Sequence, residues 1–221
     1  MTEDAFPARR FAALLFDMDG TLISSLASAE RIWSRWARAH GLDVAAFLPT
    51  IHGVRSVETI RRLDLPGVDP EAEAAAITRA EMDDVADITE IPGARAFVEA
   101  LPPGRWAIVT SAPRALAERR LAAAGMPRPR LMIAAEDVAR GKPAPDCVLA
   151  AADRLGVAAA DCLMFEDAPA GIQAAEAAGA SVAVVTATHH APVRTSHARI
   201  PDYRRLRAEA GPDGIRVSLT V

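Results

Sequence analysis

Leu14-Leu15-Phe16-Asp17-Met18-Asp19-Gly20-Thr21-Leu22 is the stretch on which the reading of this chain turns. Phe11 to Phe16 is an unbroken apolar run, the pattern of a strand buried on both faces. It stops at two acids one residue apart. Carboxylates at a strand end are costly to desolvate unless a cation or a proton-transfer role compensates. In extended backbone, positions i and i+2 point the same way, so Asp17 and Asp19 can address one small volume. Gly20 then lets the chain turn away. A solvated acidic turn would carry the same letters, so the decision rests on residues further along the chain.

The 221 residues suit one domain, or one domain carrying a smaller insertion. A hydrophobic content of 51% and a charged content of 24% fit a globular protein with a sizeable core. The formal charge of −4 gives no reason to expect nucleic acid or an acidic membrane surface as partner. Cys147 and Cys162 have no metal-like spacing, no apolar run reaches membrane-spanning length, and Met1 to Arg10 lacks a signal-peptide core. The expectation is a cytoplasmic protein, monomer or homodimer. One skew stands out. Of the 25 basic residues 24 are arginine, and Lys142 is the single lysine, which suggests a position where a compact ammonium matters.

Between the first motif and residue 90 the apolar spacing predicts three successive helices: 24–40, about 54–63 and about 70–85. Helices without intervening strands cannot cover a sheet one by one, so they read as an insertion packed on itself, with Trp33 and Trp36 in its core. From Ile91 the texture alternates. Helices are expected at 94–101, 113–124, 146–155 and 168–178, and strands at 106–110, 131–134, 162–165 and 181–185. Such alternation predicts an α/β fold, a Rossmann-like doubly wound parallel sheet with its ligand site at the carboxyl ends of the strands. Residues 1–22 and 91–221 would form this core, and 23–90 a small, all-helical cap domain. The tail suggests a short strand near 200–206 and an edge strand at 216–221.

The polar residues cluster at the expected strand ends. Leu163-Met164-Phe165-Glu166-Asp167 repeats the first motif's logic, and Asp17 with Asp167 supplies hard oxygen ligands suited to Mg²⁺. Thr110 and Ser111, after Ile108-Val109, offer a hydroxyl and backbone N–H groups to a phosphate oxygen. Pro143 and Pro145 fix the approach to a helix, so Lys142 can be aimed at the same phosphate. A divalent cation and an ammonium together neutralise a phosphoryl group in transfer.

The fragments Phe16-Asp17-Met18-Asp19-Gly20-Thr21, Val109-Thr110-Ser111, Gly141-Lys142-Pro143 and Phe165-Glu166-Asp167 resemble the signature motifs of the haloacid dehalogenase-like hydrolase superfamily, in order and across almost the whole chain. The insertion is similar to that of the subgroup with a small α-helical cap. His52-Gly53-Val54-Arg55, with Trp106 to Ser111 and Glu166 to Ile172, resembles a narrower branch of sugar-phosphate, 2-deoxyglucose-6-phosphate and glycerol-3-phosphate phosphatases. The resemblance implies that Asp17 attacks phosphorus and forms an aspartyl-phosphate. Asp19 would protonate the leaving alcohol, then deprotonate water, while its backbone carbonyl helps Asp17 and Asp167 bind Mg²⁺. Glu166 would stay in the outer shell of the metal, and Thr110, Ser111 and Lys142 would bind the phosphoryl oxygens.

His52, Gly53, Arg55 and Glu58, in and after the cap loop, are the candidates for contacting the organic part of a small phosphorylated metabolite; solvated polar residues at a helix start are the equal alternative. The expected activity is a Mg²⁺-dependent phosphatase for a small sugar or polyol phosphate. A phosphomutase of the β-phosphoglucomutase type would use the same two aspartates, and a non-catalytic phosphate-binding regulator would use none.

Overall fold

The computed structural model describes residues 9–189 and 195–220, so segment 1–8, most of the stretch expected to lack a signal-peptide core, lies outside the described residues, as does Val221. The apolar run at the start divides into β1 (Arg10–Phe11) and β2 (Ala13–Phe16). The two pieces serve different sheets. β1 pairs antiparallel with residues 215–216, whereas β2 lies between two parallel neighbours. Hydrophobicity alone does not mark that break.

A short β3 (Ile23–Ser24) leads into the helical segment: α1 (Leu26–Ala39), α2 (Val44–Phe47), α3 (Ser56–Arg61) and α4 (Pro70–Asp83). The one-turn α2 is absent from the periodicity reading, because four residues give no period. Its start is set by Asp43, whose carboxylate accepts from the N–H groups of Ala45 and Ala46. Asp69 does the same for α4, with Pro70 at the first helical position. The four helices enclose their own apolar cluster, in which Trp33, Trp36, Phe47 and Ile60 are buried and the two indoles meet edge-to-face at 5.6 Å. The chain returns through β4 (Thr89–Glu90), antiparallel to β3, so the segment hangs on a two-stranded neck.

Strand–helix alternation then follows: α5 (Ala94–Glu99), β5 (Trp106–Val109), α6 (Arg114–Ala123), β6 (Met132–Ile133), α7 (Asp146–Leu155), β7 (Cys162–Glu166), α8 (Pro169–Ala177) and β8 (Ser181–Val185). β9 (Ala198–Ile200) joins the same sheet, giving the order β6-β5-β2-β7-β8-β9 with all pairings parallel. β2, β5 and β7 are buried along their whole length, as a sheet covered on both faces requires. Alternate residues separate cleanly. Leu14, Phe16, Trp106, Ile108, Leu163 and Phe165 pack on one face, while Ala13, Leu15, Ala107, Val109, Cys162 and Met164 pack on the other.

The tail differs from expectation. β10 (Leu206–Gly211) and β11 (Gly214–Leu219) form a hairpin, and β11 is the middle strand of a separate sheet ordered β1-β11-β10. It is therefore not an edge strand: β1 claims its outer side. The strand expected near 200–206 falls earlier, at 198–200, and residues 201–205 turn toward the hairpin. Among the described residues no helix is long and apolar enough to cross a membrane.

On the aromatic face, Phe16 stacks on Phe165 at 4.8 Å, and Tyr203 closes the group against Phe97 and Phe165. The Tyr203 hydroxyl is buried with no hydrogen-bond partner among the described residues. A buried, unpaired hydroxyl costs about 1–3 kcal/mol. Tyr203→Phe keeps the ring and removes that cost, so it is expected to raise the midpoint of urea unfolding, by about 1 kcal/mol of stability. A lowered midpoint would show that the hydroxyl contributes a contact of its own.

Candidate active site

The site is built where β2, β5 and β7 end side by side. Phe16 is in register with Ile108 of β5 and Phe165 of β7, so the next residues, Asp17, Thr110 and Glu166-Asp167, leave neighbouring strands at one level. Backbone bonds fix two of them: the Asp17 N–H donates to the Phe165 carbonyl at 2.9 Å, and that of Thr110 to Ile133 at 2.9 Å. This is also the sheet's switch point, because the chain runs from β2 to β5 on one side and later to β7 on the other.

Lys142 reaches this point from the loop before α7, and it is 1% exposed. Its Nζ lies 2.6 Å from Asp17 Oδ1 and 2.8 Å from Glu166 Oε1. Burial opposes its charge, yet the two carboxylates outweigh that and raise its pKa. Asp17 is pushed up to about 7 by burial, with Lys142 opposing and Glu166 and Asp19 adding to the rise. Asp167 is raised well above the usual carboxylate value, first by burial and then by Glu166 and Asp17. Fully ionised, the three carboxylates would carry more negative charge than one ammonium can balance, which together with burial is why the proton affinity of Asp17 and Asp167 is raised.

Glu166 is committed on both oxygens, Oε1 to Lys142 and Oε2 to the Ala168 N–H at 2.6 Å. Among the described residues, Asp167 accepts from the Thr21 hydroxyl alone, 3.2 Å from Oδ1. One oxygen from each of Asp17, Glu166 and Asp167 falls within 4.8 Å of the others. An all-oxygen donor set with surplus negative charge fits a hard divalent cation such as Mg²⁺. Two glycines make room for it. A Cβ at Gly20, where φ is +85°, would collide with the Asp167 carboxylate, and one at Gly171 would collide with that of Glu166.

Asp17, Asp19, Thr110, Ser111 and Asp167 face a cavity roofed by the helical segment. Asp19 shares it with Asp17, as the spacing suggests, but its carboxylate is not part of the acidic cluster. Oδ1 accepts from the Ser25 hydroxyl at 2.6 Å and from Arg120 Nη1 at 3.0 Å. Ser111 spends its hydroxyl on the Gly53 carbonyl, 2.9 Å away across the seam between core and helices. Thr110 Oγ1 accepts from the Ala112 N–H at 3.1 Å.

The four loop candidates divide. His52 and Gly53 line the cavity, and burial lowers the His52 pKa, against an opposing contribution from Glu30. Arg55 and Glu58 do not line it. The Arg55 guanidinium instead donates to the carbonyls of Val138 (2.9 Å) and Ala139 (3.2 Å), pairs with Glu58 at 3.5 Å, and lies over Gly141 beside Lys142. Trp33 belongs to the helical core and also walls the cavity. The cavity also has Ser25, Ser56, Glu81, Arg120 and Thr188, none of which the sequence reading singled out. Glu81 and Arg120 did leave a signal. Each is a charged residue on a buried helical stripe, Glu81 four residues after Ile77 and Arg120 four after Leu116.

Removing the lysine's charge leaves buried carboxylates uncompensated, a change that typically costs about 3–5 kcal/mol. Lys142→Met in metal-free buffer is expected to lose stability on that scale in urea unfolding. Near-wild-type stability would show that the carboxylates do not depend on it.

The haloacid dehalogenase-like hydrolase family model matches residues 11–179. The chain is 42% identical over 188 residues to hexitol phosphatase A of Escherichia coli, covering 83% of this chain and 87% of that protein. It is 33% identical over 199 residues to 2-deoxyglucose-6-phosphate phosphatase 2 of Saccharomyces cerevisiae, covering 79% and 80%. Among solved structures, a hydrolase from Pseudomonas syringae superposes with a TM-score of 0.71 at 26% identity, covering 80% of this chain and 84% of that one. CbbY from Rhodobacter sphaeroides, solved with phosphate, shares the fold at a TM-score of 0.71 and 24% identity, covering 87% and 95%. The chain belongs to the haloacid dehalogenase-like hydrolase family and is a phosphoric monoester hydrolase.

Proposed function

We propose that this enzyme is a Mg²⁺-dependent phosphatase that hydrolyses a small sugar or polyol phosphate through an aspartyl-phosphate on Asp17. The observation that carries the reading is the meeting of Asp17, Lys142 and Asp167 at adjacent strand ends beneath a cavity roofed by helices. The similarity to hexitol and 2-deoxyglucose-6-phosphate phosphatases supports the substrate class.

Asp17 and Asp167, with the Asp19 backbone carbonyl, would hold the cation. When bound, Mg²⁺ supplies positive charge to the phosphoryl oxygens and to the crowded carboxylates. Lys142 holds Oδ1 of Asp17, leaving Oδ2 to attack phosphorus in line as the ester P–O bond breaks. Asp19 gives its proton to the departing alcohol oxygen. Water then attacks the phosphorus of the aspartyl-phosphate, Asp19 takes a proton from that water, and inorganic phosphate leaves as the Asp17 carboxylate is regenerated. Lys142, the Thr110 hydroxyl and the Ser111 N–H are the groups assigned to the phosphoryl oxygens.

The segment 23–90 is proposed as the cap. Its neck of β3 and β4, and a seam crossed by the Ser111–Gly53 and Arg55–Val138 hydrogen bonds, suit a unit that closes over substrate and excludes water. In that reading Arg55 fastens the closed cap beside Lys142, while His52 and Gly53 face the substrate. A mutase would need a second phosphate under the cap. Arg120, the cation among the residues lining the cavity, is already flanked by two carboxylates, which disfavours that reading.

The test is phosphate release from an aryl phosphate and from a panel of hexitol, hexose and glycerol phosphates. Release is expected with Mg²⁺, lost on chelation and restored by adding Mg²⁺ back. Asp17→Asn is expected to abolish turnover, and Asp19→Asn to slow it by roughly 10²–10⁴-fold, the usual range for a lost general acid–base. Near-normal hydrolysis by Asp17→Asn would exclude the covalent route.

A second expectation concerns the seam. Arg55→Ala removes the bonds to Val138 and Ala139 and should raise KM for a sugar phosphate by about tenfold, the loss of one to two hydrogen bonds from a charged donor. An unchanged KM would show that closure does not use it.

A further inference from the structure

We propose that Arg120 and Glu81 form the subsite that reads the hydroxyl groups of the substrate's alcohol, so that the enzyme selects polyhydroxylated phosphate esters over plain alkyl esters. This rests on the phosphatase reading and names what confers its selectivity. Arg120 projects from α6 of the core and Glu81 from α4 of the helical segment, and both line the cavity that holds Asp17, Asp19 and Asp167. The site is therefore complete only when the two parts are together.

The guanidinium is the telling group. Arg120 is 5% exposed, and its Nη1 donates to Asp19 Oδ1 at 3.0 Å. Nη2 is 3.2 Å from Glu81 Oε1 as an ion pair but off the line of a hydrogen bond, and Nε has no partner among the described residues. Buried N–H donors are almost always satisfied, so an unpartnered Nε on a guanidinium that lines a cavity calls for an acceptor oxygen from a ligand. The surrounding charge selects its type. Asp19 and Glu81 flank the cation and already match its charge, so the trio offers no surplus positive charge to a second phosphate or a carboxylate. A neutral hydroxyl suits both partners: its lone pair accepts from Arg120, and its proton is donated to Glu81. Trp33 also lines the cavity and adds aromatic surface suited to the carbon skeleton of a polyol, and Ser25 and Ser56 line it too.

The alternative is that Arg120 only positions Asp19. Glycerol 1-phosphate and n-propyl phosphate separate the two, since they share chain length and reacting group and differ only in hydroxyls. Wild-type enzyme is expected to favour glycerol 1-phosphate by about a hundredfold or more in kcat/KM, because the deoxy analogue leaves the site's buried polar groups unpaired. Glu81→Gln and Arg120→Lys are each expected to shrink that ratio at least tenfold, chiefly through KM. Glu81→Gln is isosteric and carries the test if Arg120→Lys does not fold. Parity between the esters in the wild type overturns the subsite. So does a preference that survives both substitutions while the two esters slow in parallel, the signature of mere positioning. Absence of hydrolysis with every ester, an aryl phosphate included, overturns the phosphatase reading and the subsite with it; hydrolysis of all without hydroxyl preference overturns the subsite alone.

Discussion

The constraint on which this molecule is arranged is the crowding of carboxylates around one buried ammonium. Asp17, Glu166 and Asp167 leave two adjacent strands at the same level, and Lys142 touches the first two. Carboxylates this close repel one another and lose solvation together, so the arrangement persists only with cationic charge at its centre. The nearby sequence serves that requirement. Gly20 and Gly171 leave space for carboxylates where a Cβ would stand, Ala168 supplies an N–H to Glu166, and Thr21 a hydroxyl to Asp167. The lone lysine in an arginine-rich chain stands where a compact point charge fits between two acids and a planar fork would not.

A second feature is that the helices have an apolar cluster separate from those of the sheet, and polar groups make up much of the contact between the two parts of the chain. The helices close over Trp33, Trp36 and Phe47, while the sheet has its own clusters on each face. The polar contacts that cross between them include Ser111 to Gly53, Arg55 to Val138 and Ala139, Ser25 to Asp19, and Arg120 to Glu81. Polar seams of this kind are exchanged for water at little net cost, whereas an apolar seam would weld the parts together.

Much of the core and of its motif residues was legible from the letters because both rest on short-range rules. A strand buried on both faces must be apolar throughout, and a parallel sheet must send its polar residues to the strand ends; β2, β5 and β7 obey both. Three of the four helices of segment 26–83, all but the one-turn α2, were visible for the same reason, through a period of 3.6. What escaped depended on partners remote in sequence. The split between β1 and β2 exists because β11 pairs with one and not the other, and β11 is central rather than an edge for that reason. His52 and Arg55, three residues apart, part company because only one faces the cavity.

The sequence by itself determined the alternating elements, the acids and hydroxyls at strand ends and the position of the lysine, since each is set by neighbours within a few residues. Tertiary structure alone decided that Asp19 turns toward Ser25 and Arg120, and that Glu81 and Arg120 meet across the seam. The physical reason is that a charge on a buried helical stripe has no meaning until the opposing surface is known. Glu81 and Arg120 each look like an error in an apolar pattern until packing brings them 3.2 Å apart.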